Sequence, residues 1–109
     1  MRHGLDQGMT QMQTVAHTIL SQLGGNKFAA MTGAGSFASG PDSLSFRFSR
    51  APRNKARACV VKLEADDTYT VKFFKMHGYE VQVVGEFSQI YSDMLPNLFF
   101  EETGLEVRL

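Results

Sequence analysis

Tryptophan is absent from this 109-residue chain, cysteine occurs once and proline three times. One thiol cannot close an internal disulfide, so nothing asks for an oxidising compartment, and metal spacings built on paired cysteines are excluded. No apolar run approaches the ~20 residues of a membrane span. The opening stretch, MRHGLDQGMTQMQ, lacks the apolar segment of a signal peptide. A cytoplasmic protein is the expectation. Also missing is any surplus of charge: 11 Lys and Arg balance 11 Asp and Glu. A neutral chain has no overall pull toward polyanions, so an electrostatic role must come from where its charges sit.

What is present suits one folded domain. Apolar residues make up 43% of the chain, and nine Phe with three Tyr point to an interior built on phenyl rings. The domain is expected over residues 10–109, behind a flexible lead of residues 1–9 that shows no periodicity. Met12, Val15, Ala16, Ile19, Leu20 and Leu23 recur at helical spacing, with Thr10 as N-cap and the Gly24-Gly25 pair ending the helix. From Asn26 to Phe87 the period changes to two, which predicts strands in KFAAMT, SLSFRFSR, ACVVKLE, TYTVKFFKM and YEVQVVGEF. GAGSFA is expected to be a flexible hairpin loop. A second apolar stripe, Phe87, Ile90, Tyr91, Met94, Leu95, Leu98 and Phe99, predicts a closing helix ending at Gly104. Pro96 belongs in a first turn, so that helix is expected to start near Ser92, with 87–91 as a separate turn, rather than to kink.

The fold expected is therefore α+β: a two-layer sandwich of about five antiparallel strands with an N-terminal and a C-terminal helix, in the order α-β5-α. Helices on one face would bury Leu44, Phe46, Phe48, Cys59, Val61, Leu63, Tyr69, Val71, Phe73, Val81 and Val83. The opposite face would then expose Val60, Phe74, Met76 and Val84 among Lys62, Thr70, Lys72 and Gln82. An apolar patch of that kind marks an interface, most simply with a second copy in a homodimer, unless a helix or the 33–41 loop covers it or the register is slipped.

Motifs for chemistry are scarce. GAGSFA matches G-x-G-x-x-A, but GPDSLSFRF follows it where a dinucleotide site needs a helix. His3, His17 and His77 lie in a tail, on a helix flank and in a turn. Asp66-Asp67 and Glu101-Glu102 are adjacent acids that point apart or sit in a turn. No catalytic residue, metal or cofactor is expected, and the protein is read as a non-enzyme.

One stretch concentrates charge. RFSRAPRNKARA, residues 47–58, holds five cations and no acid: Arg47, Arg50, Arg53, Lys55 and Arg57. From Glu80 onward six acids face a single base, Arg108, so the neutral chain is electrically polar. Three readings stand for the basic loop: contact with nucleic-acid phosphates, a solvated tip that blunts a strand edge, or docking on an acidic protein surface. Five phosphate contacts on duplex DNA would give a salt slope of about −4.5.

The runs ILSQLGGNKFAAMTGAGSF, SLSFRF, DTYTVKF and the closing ETGL resemble a group of small proteins encoded by bacteriophages and other bacterial mobile elements. The likeness spans residues 14–105 and implies an accessory protein that binds rather than turns over a substrate. It brings no site residues with it. Two functions are thus expected in competition: an accessory module holding nucleic-acid phosphates through the basic loop, or a protein-interaction module, an inhibitor or adaptor of a host or phage protein, working through the outer sheet face.

Overall fold

Helix α1 (residues 15–23) and helix α2 (Gly25–Thr32) are separated by a glycine corner. Gly24 and Gly25 take φ of 135° and 65°, values that side-chain-bearing residues rarely adopt, so the pair turns the chain and lets a second helix start at once. The computed structural model describes residues 15–106. The expected lead 1–9, the Thr10 cap and Met12 lie outside the described residues.

Five strands follow: β1 (Gly35–Ser39), β2 (Ser43–Arg47), β3 (Ala58–Leu63), β4 (Tyr69–His77) and β5 (Glu80–Ile90). They form an antiparallel sheet in the order β1-β2-β3-β4-β5. A short 3₁₀ turn (Ser92–Met94) leads into helix α3 (Leu95–Thr103). The α+β architecture with helices before and after an antiparallel sheet is the one expected from the sequence.

Two expected elements exchange places. KFAAMT is not a strand but most of α2. Phe28 and Thr32 fall four apart on its buried side, and the Thr32 hydroxyl donates 2.7 Å to the Phe28 carbonyl. Gly33, at φ 73°, closes the helix with its N–H on the Ala29 carbonyl. Six residues are too few to separate a period of 3.6 from one of 2, and two adjacent alanines favour the helix. GAGSFA in turn is not a free loop: from Gly35 it forms the edge strand β1, bulged between its pairings Gly35–Arg47 and Ala38–Ser45, with Ser36 at φ 52°.

At the other end, residues 87–90 continue β5 rather than making a separate turn. Pro96 does sit in the first turn of α3, where its missing N–H costs nothing, and Gly104 ends the helix at φ 80° with its N–H 2.7 Å from the Phe100 carbonyl. The helix is unkinked at Pro96, as expected.

The helices cover one face of the sheet. Phe99 of α3 lies at the centre, its ring 5.0 Å from Phe28, 5.1 Å from Phe48, 5.9 Å from Phe73 and 6.2 Å from Phe46. The first two meet edge to ring face, the favoured aromatic geometry. Leu44, Phe46, Phe48, Cys59, Val61, Tyr69, Val71 and Phe73 are buried as expected, and Leu63 packs partly buried against them.

Val81 and Val83 are the exception: they are 59% and 53% exposed. The reason is a bulge in β5. Phe73 pairs with Gly85 but Phe74 pairs with Val83, so Val84 is one residue too many. The extra residue inverts the alternation, and Val81 and Val83 pass to the outer face opposite Met76 and Phe74.

Candidate functional site: a basic concavity at the sheet end

The link between β2 and β3 carries the basic residues, and it is folded onto the body of the protein. Ala51 and Ala56 are fully buried, and the Ala51 N–H bonds the Ala56 carbonyl at 2.9 Å. The Asn54 side chain accepts the Ala56 N–H at 3.0 Å, the local turn that an Asn favours. Ser49 N–H reaches the Thr32 carbonyl at the end of α2, and Arg53 N–H reaches the Thr103 carbonyl at the end of α3, each at 3.0 Å. The charged side chains of this loop are exposed, while its backbone is tied down and closes two helix ends.

Its five cations separate into three roles. Arg53 turns back, its Nη1 donating 2.8 Å to the Glu101 carbonyl and its guanidinium standing over the Phe100 ring. It is a brace for α3. Arg47 is exposed on the outer face of β2, opposite Ala58. Arg50, Lys55 and Arg57 remain together and line one concavity of about 280 Å³ with Lys75, Met76 and His77.

Sheet geometry makes that concavity. Arg57 lies one rung beyond the last β3–β4 pair, Ala58–Phe74; its N–H donates 2.9 Å to the Phe74 carbonyl and its carbonyl accepts the Phe48 N–H at 3.0 Å. The same register sets Lys75 across from Arg57, on the side of the sheet that the helices cover further along. Beyond the end of the phenylalanine core this face turns polar, carrying Lys75, His77 and Gln82. Lys55 is held at φ 62° with its Nζ 3.1 Å from the Pro52 carbonyl. Among the described residues no acid lines the concavity. Glu80 is the cross-strand partner of His77 but is not part of the lining.

Four basic side chains and a histidine around one hollow, undiluted by carboxylates, form a place where an anion replaces mutual repulsion with attraction. A second groove, of about 340 Å³ on the outer face, differs in kind: Lys62 and Lys72 there alternate with Glu64 and Glu86, so its field is largely cancelled.

The outer face also holds the expected interface residues. Val60, Phe74 and Met76 are half-buried there and Val84 is exposed at the bulge, joined by Val81 and Val83. His17 is exposed on α1. Cys59 is buried, and burial pushes its thiol far above the ordinary range. Among the described residues no group of three His, Cys, Asp or Glu side chains is placed to hold a metal ion, and no helix is long and apolar enough to cross a membrane.

Comparison of the chain with protein-family models, with curated proteins and with solved structures returns no match.

Proposed function

We propose that this protein is a non-enzymatic binding module that holds the phosphates of a nucleic acid in the basic concavity, as a cytoplasmic accessory protein of a phage or mobile element. One observation carries the reading: Arg50, Lys55, Arg57 and Lys75 converge with His77 on a single hollow that no acid among the described residues lines. The contact set is smaller than the loop alone suggested. With Arg53 committed to α3 and Arg47 on the outer face, three loop cations remain beside Lys75, so at most about four phosphates are neutralised instead of five, for a duplex salt slope no steeper than about −3.6.

The test is binding to labelled oligonucleotides between about 50 and 200 mM salt, beside Arg50→Ala, Arg57→Ala and Lys75→Ala in one chain. Binding that weakens with salt and falls at least about tenfold in the triple variant supports the reading. Absence of binding at the lower salt overturns it.

A second reading, an interaction module for a host or phage protein or a homodimer, is favoured by the bulge, which gathers Val81 and Val83 beside Phe74 and Met76 on a face that no helix among the described residues covers. Phe74→Glu in sizing chromatography tests the homodimer: a shift to a later elution volume supports it, and an unchanged volume refutes it.

A further inference from the structure

Tyr79 is the most exposed large hydrophobic side chain among the described residues, at 106% of its reference area. It stands in the two-residue turn between His77 and Glu80, which close the β4–β5 ladder. Gly78, at φ 62°, supplies the positive-φ first position that such tight hairpins require, so the connection is a tight turn of two residues. Two residues before the tyrosine, His77 lines the basic concavity, and Met76 lines it too. Met76 pairs with Val81 and Phe74 with Val83, so an apolar strip runs from the rim of the concavity along the outer side of the same hairpin. The other exposed rings, Phe37 and Tyr91, belong to β1 and to the residue just after the far end of β5, away from these cations.

A hollow suited to phosphate, with an exposed ring two residues along the chain from its lining and an apolar strip on the same hairpin, offers the two components of single-strand recognition: charge for the backbone and flat surface for bases. In a duplex the base faces are stacked and hidden, whereas an unpaired base offers its whole π-face. A duplex backbone would also call for cations spread along a track, and here they converge.

We infer that the partner is a single-stranded nucleic acid whose phosphate sits among Arg50, Arg57 and Lys75 while an adjacent unpaired base stacks on Tyr79. This rests on the phosphate-binding reading above and adds the strandedness and the stacking residue. The chain has three tyrosines and no tryptophan, so stacking on Tyr79 is read as the part of the tyrosine quenching that Tyr79→Phe removes.

The test compares oligothymidylate of about 12 nucleotides with an abasic strand of the same length, and with oligouridylate and a duplex, at about 50 mM salt. Wild-type protein is expected to bind the thymidylate at least about fivefold more tightly than the abasic strand, with quenching by the former alone. Tyr79→Ala abolishes that preference, Tyr79→Phe keeps it, and Arg57→Ala weakens both strands alike. Equal thymidylate and uridylate affinity assigns the site to single strands of either kind; a preference for one assigns it to that strand, its sugar and base methyl taken together. Both outcomes support the inference. Equal binding of the abasic strand, tighter binding of the duplex, or a Tyr79→Ala variant that still discriminates overturns it and leaves the phosphate site standing. Failure of every strand to bind overturns both and turns the search to a protein partner for the outer face.

Discussion

Arg53 Nη1 donates a 2.8 Å hydrogen bond to the main-chain carbonyl of Glu101, and its guanidinium carbon stands 5.3 Å from the centre of the Phe100 ring. The contact ties the basic loop to the end of α3, where unpaired carbonyls and the helix dipole favour a cation. Gly104 is part of the same junction: a Cβ there would lie 2.9 Å from Arg53 Cγ and 3.1 Å from Pro52 Cγ. A basic residue that looks free in the sequence is thus a structural one.

Arg53→Ala is expected to lower stability by about 1–2 kcal/mol in urea denaturation while leaving the salt slope of oligonucleotide binding unchanged. Arg53→Lys restores little, because an ammonium lacks the planar fork that spans a carbonyl and a ring together. A loss of binding as large as that of Arg57→Ala would refute the division of roles.

Phe99→Ala removes the ring that touches Phe28, Phe46, Phe48 and Phe73. The expected cost is about 3–5 kcal/mol, a large share of the stability of a domain this size, since the cavity opens at the meeting point of both layers. Phe100→Ala, at a half-buried position, should cost clearly less. Guanidinium midpoints of the two variants check the order.

Burial raises the Cys59 thiol above its unfolded value. An unfolded chain loses that proton above about pH 8.5 while the folded chain keeps it, so unfolding gains ground as pH rises. The contribution is intact below that pH and declines above it, by at most about 1.4 kcal/mol per unit. Urea midpoints between about pH 7.5 and 9.5 should therefore fall, and fall less in Cys59→Ala. A thiol reagent should modify Cys59 only as fast as the protein opens.

Lys55 combines a left-handed backbone with a place in the concavity. Lys55→Gly is expected to raise stability by about 0.5–1 kcal/mol, the relief of a side chain at positive φ less the added freedom of the unfolded chain. The same change should weaken oligonucleotide binding and reduce its salt slope. The two effects run in opposite directions, and thermal melts with one binding titration separate them.

Much of the fold was legible because its signals were long. The alternation of Leu44, Phe46 and Phe48, the hairpin around Asp66 and Asp67, and Gly104 after a helical stripe each mark their element directly. The Asp66 turn is locked as its residues suggest, with the Thr68 hydroxyl and N–H both donating to the carboxylate. Those bonds hold the Asp66 carboxyl below its ordinary range. What escaped was short or irregular. KFAAMT has too few residues to show a period, and the lone Gly85 inside the strand pattern is a weak marker of the β5 bulge that moves Val81 and Val83 to the other face.

The site was legible in part. Arg50, Lys55 and Arg57 stand out by charge, but Arg53 and Arg47 share that charge and not the place. Lys75 was within reach of the sequence: carrying the Asp66 hairpin one rung past Ala58 and Phe74 sets it across from Arg57. His77 needed the path of the 48–57 loop, which rests on main-chain bonds to α2 and α3 that leave no pattern in the residues.

Amide chemical-shift mapping with a short oligothymidylate is the most direct measurement. Shifts centred on Arg50, Lys55–Arg57 and Lys75–Glu80, lost on substitution of Arg57 and Lys75, are the expected result. Shifts confined to the outer face around Val60 and Lys72, or none at low salt, would contradict the phosphate-binding concavity.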